Sequence, residues 1–493
     1  MIMSQERAME ASLKEELVMK PTESVAAGEQ HLSIDSVANR KLLRKLDLRL
    51  APLMTLIFLC AYLDRSNIGN AASAGMIEDI GGDSGDVGNA VTLFYVTYII
   101  AEIPSSLILK KFHPSRMIPL LILGWSVSLI GCGFIHNSGQ LYACRMLIGL
   151  FESSMFPCLT LYLSMFYAPG EQALRVAYLF VSAALSGSFG GLFAYALIKM
   201  HGISGLEGWR WLFIIEGCGS VLIAVIVHLS LPDNFENARF LNEDEKSLMR
   251  TRAQINARYY GEQEFQWTEV KKALTDPKLY ISCWSQFWAD VCSFGFSSFL
   301  PLIIKSLGYG TVTTQLLTIP VFFTASGVYL IVSYLSDRFS KRAFCMIPAA
   351  MVTAVGYAVN VGVPISDRVV LYLSMFLIAP GIYILVGLNA VWLLNTHAPY
   401  YKRATAIGTN QTIGNSAGLI VGQLFKTQVG GKYLLGLSFS LGSALLAACG
   451  QAVLYVYLKR QNRKRESMTP EERQHEIQHG KGGDFHPDYR YTL

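Results

Sequence analysis

The sequence predicts an all-α membrane protein, twelve transmembrane helices in two six-helix halves, and three observations predict it. Apolar residues make up 52% of the 493-residue chain and charged residues only 16%, against about 25% charged in a soluble domain. The apolar residues fall into twelve runs, each near the roughly 20 residues that a helix needs to cross the hydrocarbon of a bilayer. Lys and Arg gather in alternate loops, which is a signature of membrane topology. The net charge of +5 is split among short clusters at the ends of these runs, so a nucleic-acid partner is not expected.

Residues 1–45 are polar and charged, with no apolar stretch of the kind a cleavable leader carries; a disordered tail is expected there. The runs then follow at 49–72, 88–109, 116–135, 141–166, 175–198 and 210–231, and at 278–304, 312–335, 343–362, 369–395, 403–425 and 433–458. The first is the least obvious, because polar residues follow Leu63, yet it reads as helix. A charged loop at 232–277 separates a six-helix half at 46–231 from another at 278–458, and Asn242-Glu243-Asp244-Glu245-Lys246 within it reads as the start of a surface helix. A second polar tail covers 459–493. Arg40, Lys41, Arg44, Lys45 and Arg49 precede the first run. On the same side by alternation lie Lys110, Lys111 and Arg116, then Arg175, then Arg338, Lys341 and Arg342, then Lys402 and Arg403, and the Lys459–Arg465 stretch. The first opposite loop carries Glu78, Asp79, Asp83 and Asp86 instead. The expectation is that both termini are cytoplasmic.

The nine cysteines lie inside apolar runs with no metal spacing, and read as small buried hydrophobes; no cofactor is expected. His475-Glu476-Ile477-Gln478-His479 matches a zinc-protease pattern, but it lies in a polar tail with no third ligand, so no enzyme is expected. Asn410-Gln411-Thr412 is a formal glycosylation sequon inside a span, out of reach of glycosylation.

A charge at the bilayer centre costs about 2.5–3.5 kcal/mol on insertion scales, so embedded charges are the first functional candidates. The strongest group is Asp64 and Arg65 in span 1 with Arg145 and Glu152 in span 4. Neighbours on a helix do not face one another, so Asp64 and Arg65 look to different partners. Arg145 and Glu152, seven apart, share a face, with Gly149 between them and Pro157 after. Arg grips a carboxylate bidentately, and a carboxylate in a half-dry cavity gains affinity for a proton. The same four residues also read as a structural ion-pair network. Glu102 and Glu216 read as span-end residues, Asp290 as a cavity residue or a packed one, and His228 and His397 as interfacial. Gly414, Gly418 and Gly422, and Gly187 and Gly191, form small-residue faces whose packing and rocking roles the sequence does not separate. Tyr95, Tyr98, Trp392 and Asn395 are further cavity candidates.

At Tyr62-Leu63-Asp64-Arg65-Ser66-Asn67-Ile68-Gly69-Asn70-Ala71 the chain resembles the anion:cation symporter family of the major facilitator superfamily, and within it the fungal allantoate permease branch with its nicotinate, pantothenate and biotin carriers. Supporting stretches are Glu102-Ile103-Pro104-Ser105, Arg145 to Pro157, Gly208-Trp209-Arg210-Trp211-Leu212-Phe213-Ile214-Ile215-Glu216-Gly217, and Lys402-Arg403 followed by Gly414-Asn415. The resemblance covers about residues 45–460 and implies the major facilitator fold. It implies that Arg65 contacts a substrate carboxylate, that Asp64 and Glu152 couple protons with Arg145 beside them, and that Gln411 and Asn415 line the C-terminal half of the site. Tyr98 and Asn395 complete the substrate set. Asp337 and Arg338 stand where that family has a gating motif, although Ser333 and Ser340 replace its usual glycines; the copy after span 2, Leu109 to Arg116, lacks its Asp.

The function expected is proton-coupled symport of a small organic anion (allantoate, nicotinate or a related vitamin) by alternating access, in the plasma membrane, by a monomer. Export of an acidic secondary metabolite is the alternative, and a non-transporting nutrient sensor a remote one.

Overall fold

The computed structural model describes residues 36–83, 85–109, 114–260, 267–339, 341–398, 400–478, 483–487 and 489–493. Their regular structure is helical. The first half comprises α1 (Ser36–Ser73), α2 (Asp86–Leu109), α3 (Pro114–Cys132), α4 (Ser138–Glu152), α5 (Met155–Phe166), α6 (Pro169–Ile198) and α7 (Gly208–Ser230). Between the halves lie α8 (Glu243–Tyr260) and α9 (Trp267–Leu274). The second half comprises α10 (Pro277–Ser306), α11 (Thr311–Phe339), α12 (Arg342–Gly362), α13 (Arg368–Thr396), α14 (Tyr400–Asn415), α15 (Ala417–Leu424) and α16 (Leu434–Glu466), and α17 (Pro470–Gln478) follows. With α4–α5 and α14–α15 each counted as one crossing, the described residues form twelve crossings, of which ten are long and apolar enough by themselves to cross a membrane. Lys45, Arg175, Lys278, Arg342 and Lys402 lie at one end of the bundle, here the basic end, and Glu78, Asp79, Asp83 and Asp86 lie at the other, the acidic end.

Both broken crossings break for local reasons. Pro157 has no N–H to continue the ladder back to Ser153, and the Ser153 hydroxyl turns back onto the Leu150 carbonyl at 2.9 Å. Ser416 does the same to Ile413 at 2.6 Å, between Gly414 and Gly418. The breaks fall immediately after Glu152 and Asn415. Irregular backbone at membrane depth is tolerated where protein or a cavity satisfies it.

Polar partners outside the bundle explain two departures from expectation, at the two ends of the chain. The expected tail boundary at residue 45 is too late, because α1 starts at Ser36, buries Leu42 and Leu46, and continues into the first crossing. Its basic stretch docks on neighbours through Lys45 to Glu245 (2.6 Å) and Asp47 to Arg175 (2.5 Å). Residues 1–35 lie outside the described set. The 232–277 loop does open a helix at Glu243. Asn242 caps it reciprocally, its Oδ1 accepting from the Glu245 amide at 2.8 Å while Glu245 Oε2 accepts from the Asn242 amide at 2.9 Å.

The polar tail after 459 is likewise not free. α16 runs on to Glu466, and residues 483–487 and 489–493 fold back onto the basic end of the second half. Asp484, fully buried, accepts from Lys402 (2.7 Å) and Lys278 (2.5 Å), and Asp276 pairs with Lys402 at 2.8 Å. Phe485 covers Lys402, Trp392 Nε1 donates to the Thr492 carbonyl at 2.9 Å, and the Arg342 amide donates to the Leu493 carbonyl at 2.6 Å. Burial works to raise the Asp276 carboxyl, but Lys278 and Lys402 outweigh it and hold it below the usual range. His397, expected at an interface, is instead fully buried here, and burial pushes its imidazole down to about 4.

Candidate functional site

The first half supplies a charged wall. Arg65 faces the interface between the halves, its guanidinium carbon 4.8 Å from the Tyr62 ring centre, 4.9 Å from Tyr98 and 5.6 Å from Phe94. Such rings hold a cation by their quadrupoles while leaving its hydrogen-bond edge to other partners. One partner is Glu152, whose Oε1 accepts from Arg65 Nε. Asp64, one residue earlier and so turned about 100° around the helix, points inward instead. The Trp125 indole and Arg145 lie beside it, and Arg145 Nη1 donates to the Asp64 carbonyl at 3.4 Å. Glu152 is within electrostatic reach of both arginines. Asp64, Arg145 and Glu152 are each at most 2% exposed, a degree of burial that is stable only because the charges lie together. Gly149 permits this convergence: a methyl there would overlap the Phe94 carbonyl oxygen.

Glu216 and Glu102 are not span-end residues. Glu216 is buried within α7 and accepts from Asn67 Nδ2, one turn after Asp64. Glu102 is buried in α2 and accepts from Asn415 Nδ2 across the two halves at 3.4 Å. The second half contributes Asp290, whose Oδ2 accepts from Gln286 Nε2 at 2.9 Å, and the broken end of α14. Phe294, one turn beyond Asp290, stacks on Tyr95 of the first half with ring centres 4.7 Å apart.

Small residues separate the halves. A methyl on Gly418 would strike Tyr95, one on Gly422 or Gly88 would strike the other's carbonyl oxygen, and methyls on Gly187 and Gly191 would strike Phe322 and Thr318. The glycine faces therefore lie largely on the surface where the halves meet. Toward the acidic end these contacts are closed by polar ties: Gln315 Nε2 to Ser73 Oγ (2.8 Å), Gln423 Nε2 to Asn89 Oδ1 (3.2 Å) and Thr92 Oγ1 to the Leu419 carbonyl (3.3 Å). Toward the basic end, a void of about 40 Å³ lies between α5–α6 and α13–α14, lined by Phe156, Thr160, Val176, Leu394, Asn410 and Gln411. The two halves are thus tied together at the acidic end, and this small void lies toward the basic end.

Of the residues expected from the sequence, Arg65, Tyr98, Asp64, Arg145 and Glu152 come together, Asn415 joins them through Glu102, and Gln411 lines the void. Asn395 lies one residue before the end of α13, away from that cluster along the helix, and its backbone carbonyl accepts from the Tyr489 hydroxyl at 2.7 Å. Trp392 likewise turns to residue 492 rather than to the centre. Arg338 is at the exposed end of α11; the Asp337 side chain, Lys110, Lys111, Ser340 and His479 lie outside the described residues. Sequence reasoning missed Phe94, for which the signal was its place one turn before Tyr98. It missed the docking of Asp484, signalled only by the aromatic residues Phe485, Tyr489 and Tyr491 around it.

Two helical halves closing on an embedded charged cluster are the architecture of a membrane transporter. The chain belongs to the major facilitator superfamily, whose sequence profile matches residues 54–422. It is 44% identical over 463 residues, covering 94% of this chain and 92% of the relative, to an uncharacterized transporter of Schizosaccharomyces pombe. It is 33% identical to the high-affinity nicotinic acid transporter of Saccharomyces cerevisiae, over 87% of this chain and 80% of that one. In fold it is similar to a D-xylose–proton symporter, with a TM-score of 0.65 at 14% identity over 83% of this chain and 97% of that one. It is also similar to an inward-facing bacterial homolog of the lysosomal transporter Spinster, with a TM-score of 0.63 at 15% identity over 86% and 97%. These relatives are transporters, and none indicates a catalytic family.

Proposed function

We propose that this chain is a proton-coupled symporter that carries a small organic anion, of the nicotinate, pantothenate or allantoate kind, into the cell. The observation that carries the reading is Arg65: a permanent cation held in an aromatic cage at the meeting surface of the halves, with an embedded carboxylate, Glu152, as its partner. A substrate carboxylate competes with Glu152 for the guanidinium. A proton on Glu152 releases Arg65 to the substrate, and that exchange links the two loads. Asp64 and Arg145 set the field behind this pair, and Tyr98, Gln411 and Asn415 lie along the substrate's path. The 33% identity to a nicotinic acid transporter supports an anionic substrate. In this reading the basic end, with Arg338 and the loop before Arg342, faces the cytoplasm, the membrane is the plasma membrane, and a single chain completes the cycle.

The test is uptake of labelled nicotinate, pantothenate, biotin and allantoate into a permease-deficient yeast, at external pH 5 and pH 7, with and without an uncoupler. Accumulation that rises in acid and collapses with the uncoupler is expected. Uptake indifferent to both would sink the coupling. Tolerance to an acidic metabolite without any accumulation would point to export instead.

A further inference from the structure

Asp290 has no role in that cycle, yet it is placed as a binding residue is placed. It is a mid-span carboxylate, 4% exposed, and its orientation is fixed by a relay of buried amides. Ser282 Oγ donates to Asn389 Oδ1 at 3.2 Å, Asn389 Nδ2 donates to Gln286 Oε1 at 2.8 Å, and Gln286 Nε2 donates to Asp290 Oδ2 at 2.9 Å. Such a relay holds a side chain in one rotamer before any ligand arrives. Gly414 adds to it: a methyl there would overlap Asp290 Oδ2 and lie 2.8 Å from Gln286 Cγ, so α14 is bare where it passes.

The direction follows from helix geometry. Phe294, four residues on and so on the same face of α10, stacks on Tyr95 of the first half. Tyr95 in turn lies against Gly418, one turn beyond Gly414. Asp290 therefore faces the surface between the halves one turn below that stack, and Arg65, Tyr62 and Tyr95 are all within its electrostatic reach. Arg65 already has Glu152 as a partner in its own half, whereas Asp290 is held by an amide.

We propose that Asp290 is the specificity residue of the second half, taking an N–H donor or cationic group on the substrate at the end remote from the carboxylate that Arg65 holds. The transported compound is then a dipolar or donor-bearing acid rather than a simple carboxylate, and it bridges the two halves, its acid end on the first and its donor end on the second. This rests on the anion reading given above for Arg65. A site built to receive a donor discriminates strongly against an analogue that lacks one, because its buried acceptor is then left unpaired.

The experiment uses the full chain purified in detergent and ligand-induced thermal stabilisation, titrated with matched probes: propionate and β-alanine, and benzoate and 3-(aminomethyl)benzoate. In the unmodified chain, at least one amino acid of a pair is expected to bind at least 10-fold more tightly than its plain acid. Asp290→Asn, which keeps an acceptor for Gln286, should reduce that ratio to about 2-fold or less, and Asp290→Ser serves as a second variant should the first fold poorly. Arg65→Ala should weaken both members of the pair. A ratio unchanged by either Asp290 substitution, with binding still lost in Arg65→Ala, would overturn the role of Asp290 and leave the anion reading standing. Absence of binding by all four probes, or binding indifferent to Arg65→Ala, would overturn the anion reading and this inference with it.

Discussion

Gly88→Ala tests how the acidic end is shut. Gly88 on α2 and Gly422 on α15 meet backbone to backbone. A methyl built on Gly88 overlaps the Gly422 carbonyl oxygen, with the carbonyl carbon 3.0 Å away and the Cα at 3.7 Å. No side chain is there to swing aside, so relief requires the helices to separate by on the order of 1 Å. Overpacking of this kind costs about 1–3 kcal/mol. The cost falls only on the closed arrangement, because the contact exists only when the halves meet at this end. A bias of that size shifts a two-state equilibrium about 5- to 150-fold toward opening at the acidic end. The assay is the rate at which an impermeant maleimide labels a cysteine placed at Thr92 on intact cells; Thr92 ties α2 to the Leu419 carbonyl at 3.3 Å. We expect Gly88→Ala to raise labelling about 10-fold or more, and Gly422→Ala to do the same. Gly219→Ala, where a methyl meets nothing within 4 Å, is the control and should change nothing. Labelling in Gly88→Ala equal to that control, in protein that still elutes as folded, would refute the account of closure.

Three further outcomes are expected. Glu152→Gln should retain exchange of labelled for unlabelled substrate but lose concentrative uptake, because the proton-bearing partner of Arg65 is gone while the guanidinium remains; full accumulation in vesicles with a pH gradient would count against coupling at Glu152. Asp484→Ala leaves Lys278 and Lys402 buried with Asp276 as their remaining carboxylate, and breaking a buried ionic cluster in this way costs about 3–5 kcal/mol; an unchanged thermal midpoint would mean that residues 483–493 are not docked. His397 is held neutral, its imidazole lowered to about 4 from an ordinary value near 6.5. The unfolded chain therefore takes up a proton first as pH falls, and stability present above about pH 6.5 is lost toward pH 4, by up to about 3 kcal/mol. His397→Gln should flatten the acid side of a thermal-stability profile, and an unaltered slope would show that the ring is not buried.

The crossings were legible because lipid forces each to be apolar over most of its length, and the Arg65–Glu152 cluster because charges at that depth are costly and stand out from their apolar surroundings. Polar partners supplied from distant segments were not legible. The polarity of the chain after 459 says nothing of Lys278 and Lys402, which lie in other helices, so a docked Asp484 reads as a tail. Glu102 and Glu216 read as end residues because hydropathy marks where a span begins but not how deep it sits; their partners Asn415 and Asn67 fix that. Trp392 had the right residue type at the right helix, but its indole N–H faces the Thr492 carbonyl, a direction that periodicity alone does not give. The glycine repeats were visible in sequence, and only the packed structure places Gly422 against Gly88 in the other half.

Accumulation of labelled nicotinate, pantothenate, biotin and allantoate in acid medium by cells expressing the unmodified chain or Arg65→Ala is the most direct test of the central claim. Concentrative uptake of at least one of these acids, abolished by Arg65→Ala with protein abundance unchanged, is the result predicted. Uptake that survives the loss of Arg65 would contradict the claim that its guanidinium receives the anion.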